Sequence, residues 1–333
     1  PNSMSTPRIF IRGVGNFDDQ ITQDPSVAVY IDGVYVARNQ GMGLEVAELE
    51  RVEVLRGPQG ALYGRNATGG AINFITRAPE LDEWRWSQTL TFGDRDLFTS
   101  RTMVNVPMGE TTALRVSYLT TEQDGFIRNA GTGEAYFGSE DRDALRADFL
   151  WQISDQMDFR YSYDRSQIDD TPYDLAALPP GEPLDRPDAS NPAVSGLLPH
   201  DVGIDGHQLT VNWTPSENLT LKSISAYREL DSFLYQDYLS GQFGPVASLI
   251  TRDTLEQEQW SQEFQVLGSA LDQRLDYVAG IYYFREDGDW SNRNSLPAFG
   301  QATGDDAEVE NRAFALYAQA TWTPEALDRR LHT

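Results

Sequence analysis

Residues 142–164 read Arg-Asp-Ala-Leu-Arg-Ala-Asp-Phe-Leu-Trp-Gln-Ile-Ser-Asp-Gln-Met-Asp-Phe-Arg-Tyr-Ser-Tyr-Asp. Successive side chains of an extended chain point to opposite faces. Leu145, Ala147, Phe149, Trp151 and Ile153 therefore share one face, and Arg146, Asp148 and Gln152 the other, with Leu150 out of pattern. The alternation resumes after a short break, with Met157, Phe159, Tyr161 and Tyr163 set against Asp158, Arg160, Ser162 and Asp164. Each segment has one apolar and one strongly polar face, which predicts two β-strands joined by a tight turn.

The same pattern predicts ten strands beyond residue 80: Glu83–Phe92, Leu97–Val106, Thr112–Glu122, Arg142–Ile153, Met157–Gln167, His207–Trp213, Leu219–Leu230, Thr254–Leu267, Leu275–Arg285 and Val309–Thr323. Leu219–Leu230 slips phase near Ser223, and Leu275–Arg285 is apolar on both faces. After the first connection the lengths alternate. Segments 107–111, 154–156, 214–218 and 268–274 are short, whereas 123–141, 168–206, 231–253 and 286–308 are long. Outer-membrane β-barrels have short turns at one rim and long loops at the other, with apolar residues towards lipid and polar ones towards the lumen. A soluble antiparallel sheet with one wet face has the same side-chain alternation.

Composition narrows the classes of function. The chain has 333 residues, 51 acidic against 26 basic, and a formal charge of −25. So acidic a surface repels phosphate backbones, so nucleic acid is not an expected partner. Lys222 is the single lysine, and cysteine is absent, which excludes disulfides and thiolate chemistry. No run of about 18 apolar residues provides a membrane-spanning helix, and the first residues do not read as a signal peptide. His200 and His207 flank the end of the long acidic segment, but with no third ligand they do not make a metal centre. The pairs Asp169-Asp170 and Asp305-Asp306 lack the glycine and terminal glutamate of a calcium loop. No cofactor and no metal are expected. No spacing singles out a catalytic carboxylate pair such as a glycosidase needs, so no enzymatic activity is expected.

Residues 50–77 read Glu-Arg-Val-Glu-Val-Leu-Arg-Gly-Pro-Gln-Gly-Ala-Leu-Tyr-Gly-Arg-Asn-Ala-Thr-Gly-Gly-Ala-Ile-Asn-Phe-Ile-Thr-Arg. This glycine-rich run is not a phosphate loop, because Gly64 is followed by Arg65-Asn66. Gly13-Val14-Gly15 is not a dinucleotide fingerprint either, because Asp18 stands where the third glycine belongs. Ile11-Arg12-Gly13-Val14-Gly15, Asp24–Tyr35 and the 50–77 run together resemble the plug domain of TonB-dependent outer-membrane receptors, over about residues 8–79. The barrel part resembles that family in pattern and in the stretch Ser261-Gln262-Glu263-Phe264.

The resemblance implies a mainly β protein. Residues 1–80 would be the C-terminal portion of a plug, and 81–333 the N-terminal portion of a 22-stranded transmembrane β-barrel, about ten antiparallel strands of it. The chain is then expected to be an internal fragment of a receptor in the outer membrane of a Gram-negative bacterium. The implied partners are outer-membrane lipid, TonB acting through an upstream segment, and a scarce substrate. A ferric siderophore or similar iron complex is the default. The alternatives are cobalamin or an oligosaccharide, or a passive porin or adhesin-like barrel.

Site residues follow from the same resemblance. Arg12 and Arg56 take the places of two plug arginines that face glutamates of the barrel wall, with Glu263 as a further wall partner. Their neighbours Gly13 and Gly57 are expected to leave room for close packing. Two loops are expected to reach the outer vestibule and contact substrate, through Asn16, Phe17 and Asp18 and through Arg38, Asn39 and Gln40. The aromatics Trp151, Tyr161, Tyr163, Trp213, Tyr227, Trp260 and Trp322 are expected on the lipid face or in interfacial girdles.

Overall fold

The computed structural model describes residues 8–16, 21–42, 48–60, 64–175, 188–190, 198–238 and 249–324. Ten strands form one antiparallel wall: β7 (Arg85–Phe92), β8 (Phe98–Pro107), β9 (Thr112–Gln123), β12 (Glu140–Ser154), β13 (Met157–Asp170), β14 (His200–Ser216), β15 (Leu219–Asp237), β16 (Ile250–Ala270), β17 (Leu275–Leu296) and β18 (Gln301–Trp322). Each pairs with its neighbour in that order, an up-and-down meander. A small hairpin, β10 (Ile127–Arg128) and β11 (Ala135–Phe137), sits in the connection between β9 and β12.

All ten predicted segments are strands, but their ends at the long connections lie further out. The strand expected from His207 begins at His200, the one expected to stop at Leu230 continues to Asp237, and the one expected to stop at Arg285 continues to Leu296. The 286–308 loop is therefore only a one-turn 3-10 segment, Pro297–Phe299, closed by Gly300 at φ 62°. The outward positions of these extensions are often polar, as at Asp201 and Asp205, while Val202, Ile204 and Leu234 face inwards and are buried; backbone pairing in unbroken register carries the extensions, as from Ile250↔Ser295 to Gln259↔Glu286.

The phase slip near Ser223 is also resolved. Pairing between β15 and β16 runs without irregularity from Leu219↔Gly268 to Asp237↔Ile250. The apolar residues Ile224 and Ala226 face inwards, where Val34 covers them. On the outer face Ser223 and Ser225 both bond the Gln262 amide, so these polar groups satisfy one another.

A smaller body lies against the inner face. Its mixed sheet has the order β4-β3-β6-β5, built from β3 (Val27–Ile31), β4 (Val34–Val36), β5 (Leu49–Arg56) and β6 (Gly70–Thr76). Strands β3 and β6 are parallel and the other pairs antiparallel. A separate hairpin joins β1 (Phe10–Ile11) to β2 (Val14–Gly15). The turns Arg12-Gly13 (φ 52° and 81°) and Asp32-Gly33 (φ 49° and 87°) have both residues in the left-handed region, the geometry that fits the twist of a two-residue hairpin.

The position of this small body decides which wall face is the lumen. The opposite face carries Trp151, Tyr161, Trp213, Trp260 and Trp322, all exposed. Register places Tyr163, His207, Tyr227 and Trp260 side by side across four strands. The next outward-facing row is Arg165, Asp205, Glu229, Glu258, Asp287 and Glu310. The tyrosines tie the two rows together, Tyr163 donating to Asp205 at 2.7 Å and Tyr227 to Glu258 at 3.0 Å. Aromatics giving way to charge over one row is the signature of a membrane interface.

This assignment predicts opposite responses at two exposed positions. Phe264 lies in the apolar band, so Phe264→Arg should cost about 2–4 kcal/mol of unfolding free energy in lipid vesicles. Glu258→Arg, in the charged row, should change stability by no more than about 1 kcal/mol. Urea titration of vesicle-inserted protein would measure both.

Candidate functional site at the plug–wall seam

One row of wall residues runs beneath the small body and supplies most of its contacts, with Arg115, Arg160 and Gln208 beside it. Cross-strand pairing aligns Arg146, Asp164, Gly206, Arg228, Gln259, Glu286 and Asn311, one from each of the seven strands β12 to β18. All face the lumen. Gly206 has no side chain because none fits: a Cβ there would stand 2.5 Å from the Arg228 guanidinium and 2.7 Å from the Asp164 carboxylate. Arg228 reaches across that gap to hold Asp164 with two parallel bonds, 3.1 and 2.9 Å.

At the β12 end the contact is a charge cluster. The Asp32 carboxylate accepts the Thr76 backbone N–H (2.8 Å), the Thr76 hydroxyl (2.6 Å) and Arg146 (2.9 Å). Arg146 also forks onto Asp148, and Arg160 donates to Asp148 (2.9 Å) and to the Thr76 hydroxyl (2.7 Å). Arg146 and Asp148 are almost wholly buried, at 4% and 3% exposure. Gln208 adds a bond to the Asp32 carbonyl. Beside this cluster Glu48 pairs with the buried Arg115 of β9.

At the β17 end the polarity reverses. Arg38 donates to Glu286 at 2.7 Å and to the Gln23 carbonyl at 2.9 Å. Gln257 and Asn311 complete the Glu286 carboxylate. Between the two ends Gln259 accepts from the Ala37 N–H (2.9 Å) and donates to the Tyr35 carbonyl (2.6 Å), satisfying the backbone of the edge strand β4. Apolar contacts flank the row. Tyr35 packs edge-on against Phe284. Ile21 joins Ile168, Val202, Ile204, Leu230 and Leu255, and takes the space that a side chain on Gly288 would fill. Burial pushes the Tyr35 hydroxyl up to about 12, so it stays neutral while accepting from Asn66.

The residues expected from the sequence fall in several places. Arg38 is the main correction. It was expected on an open substrate loop, but only 4% of its surface is exposed and its donors are engaged by Glu286 and Gln23. Asn39 and Gln40 are half-buried on the 3-10 turn Asn39–Met42, and the Asn39 side-chain oxygen is buried with no partner among the described residues. Asn16 braces its own loop, donating to the Asp24 carbonyl and accepting from Ser26. Phe17 and Asp18 lie outside the described residues. Arg12 and Arg56 are exposed, and neither forms an ion pair with the wall among the described residues. The packing reason for their neighbours does not hold: nothing lies within 4 Å of a Cβ on Gly13 or Gly57, and their φ of 81° and 88° is what calls for glycine. Glu263 bonds Tyr317 and Gln265 on the wall rather than a plug arginine. It lines a cavity of about 450 Å³ between the two bodies, with Tyr30, Tyr35, Lys222 and Tyr282. His200 and His207 are both on β14, seven residues apart and hence on opposite faces.

Residues 1–71 match the TonB-dependent Receptor Plug Domain. The chain carries a TonB-dependent receptor plug. A pesticin receptor of Yersinia pestis is 33% identical over 132 residues, 39% of this chain and 19% of that receptor. The catecholate siderophore receptor Fiu of Escherichia coli K12 is 30% identical over 136 residues, 40% of this chain and 16% of that receptor. The crystal structure of the ferric yersiniabactin uptake receptor FyuA from Yersinia pestis superposes with a TM-score of 0.65 at 19% identity, covering 90% of this chain and 54% of that one. The chain thus spans about half the length of that receptor structure, and the fold is a TonB-receptor plug seated on part of its barrel wall.

The seam makes a direct prediction. Glu286→Gln keeps the shape but leaves Arg38 buried without its counter-ion, at a cost of about 3–5 kcal/mol. The expected readout is faster protease cleavage within the plug and a lower urea midpoint, with the wall still inserted in lipid.

Proposed function

We propose that the protein carrying this chain imports a scarce substrate across the outer membrane by TonB-dependent active transport. A ferric siderophore or a similar iron complex is the substrate class. The observation that carries this reading is the seam: ion pairs at both ends, with amide bonds between them, fasten the plug to the inner wall. A solute cannot diffuse past a body held this way, so passage needs work done on the plug. TonB, acting on a segment ahead of the residues described, would supply that work. The relatives named as siderophore receptors support the substrate class, and the occupied lumen disfavours a passive pore.

Substrate contact is assigned to the plug surface beyond β4, through Asn39 and Gln40, and to the Asn16 loop with Phe17 and Asp18. The unpartnered Asn39 oxygen supports this, since a buried acceptor left open gains most from a ligand donor. Arg38 acts instead as a fastening to the wall.

The test is uptake of iron-55 siderophores under iron limitation, in cells with and without TonB. Uptake should vanish without TonB while surface binding persists. Asn39→Ala should weaken binding by roughly 0.5–1.5 kcal/mol, the usual net worth of one hydrogen bond. TonB-independent uptake would refute the reading.

A further inference from the structure

The charge cluster at the β12 end is built unevenly. The wall supplies Arg146, Arg160 and Arg228 against Asp148 and Asp164, and the plug supplies the third carboxylate, Asp32. Among the described residues, removing Asp32 leaves the guanidiniums of Arg146, Arg160 and Arg228 facing two carboxylates, Asp148 and Asp164, in a corner where exposures are 4% for Arg146, 6% for Arg228 and 17% for the Arg160 side chain. The wall side is already short of acceptors: Arg160 Nε is buried with no hydrogen-bond partner among the described residues.

The plug meets this corner with the Asp32 carboxylate and carbonyl and the Thr76 hydroxyl, which accepts from Arg146 and Arg160. Asp32 sits at the tip of a two-residue turn at φ 49°, presenting its two oxygens to Arg146 and Thr76, with Arg160 3.8 Å away. Its neighbour in the turn is a glycine, so no bulky side chain shares the tip.

We propose that this corner of the wall is a carboxylate-binding site, and that Asp32 is its resting occupant. The ligand class is a small planar carboxylate, bound by Arg146 and Arg160 of the wall with the Thr76 hydroxyl of plug strand β6 alongside. Two guanidiniums with spare donors suit both oxygens of such a group better than a point cation does. When the Asp32 turn withdraws, the charge imbalance of the wall favours entry of another carboxylate in its place. The inference concerns this plug–wall corner and stands whatever the protein transports.

Chemical rescue of the full-length receptor in detergent tests it. Asp32→Gly removes the carboxylate and keeps a residue at ease with the left-handed backbone. Formate is the probe, compared with chloride at equal ionic strength. Formate should raise the thermal midpoint of Asp32→Gly above its value in chloride, and the shift should grow with formate concentration as ligand binding to the folded state requires. It should do nothing specific to the wild type or to Asp32→Asn, whose side chains fill the place. It should also fail in Asp32→Gly combined with Arg160→Gln. Equal midpoints in formate and chloride for Asp32→Gly would overturn the proposal. So would rescue that survives Arg160→Gln, because the wall guanidinium would then not be part of the site.

Discussion

A buried charge is tolerated only where its partners are within reach, because the cost of leaving water exceeds what any one contact returns. The lumenal row from Arg146 to Asn311 is organised by that constraint. Its charges lie on a face that lipid cannot reach and, once the plug is seated, water barely does. Each therefore finds its complement in register: Asp164 through Arg228 across Gly206, Glu286 through Arg38, Arg146 through Asp148 and Asp32. The plug completes this row as well as resting on it, and that sets where each turn of the plug must sit. The Asp32-Gly33 turn, the β4 edge and Arg38 occupy successive stations along it.

The apolar contacts then follow the polar row. Two residues to one side the wall offers Ala226, Ser261 and Phe284, and there Val34 and Tyr35 pack. Two residues to the other side it offers Ile204, Leu230 and Gly288, and there Ile21 packs. The inner face is thus striped along the hydrogen-bonding direction, perpendicular to the strands. Electrostatic pairing sets the position, and burial of apolar surface on both flanks supplies adhesion.

Strand positions and faces were legible in the sequence because lipid imposes a strict alternation on the outer face, as in Arg142–Ile153. Strand length was not, because past the apolar band the outward positions turn polar, as at Asp201, Asp205 and Glu229, while inward ones such as Val202 and Ile204 answer to Ile21 of the plug. The phase slip near Ser223 was a true signal with a different cause: the inner face becomes apolar where Val34 docks. Site residues were harder. Arg38 reads as a loop residue until its partner is known, and that partner is 248 positions away. Asp32 lies within the very segment that suggested a plug, yet its role depends on Arg146, 114 positions further on. A hint was present nonetheless, since adjacent strands put Arg146, Asp148, Arg160 and Asp164 on one face, more charge than a merely wetted surface requires.

The Gln259 contact has a kinetic corollary. The β4 edge could have been closed by pairing with a wall strand, and a ladder of that kind must be unzipped as a unit. Here a side chain on a flexible stem imitates one rung of it, offering a carbonyl to Ala37 and an amide to Tyr35. A single rung can be let go without disturbing the wall strand that bears it. The join is shaped like a sheet but behaves like a clasp, so its release leaves no strand of the barrel unpaired.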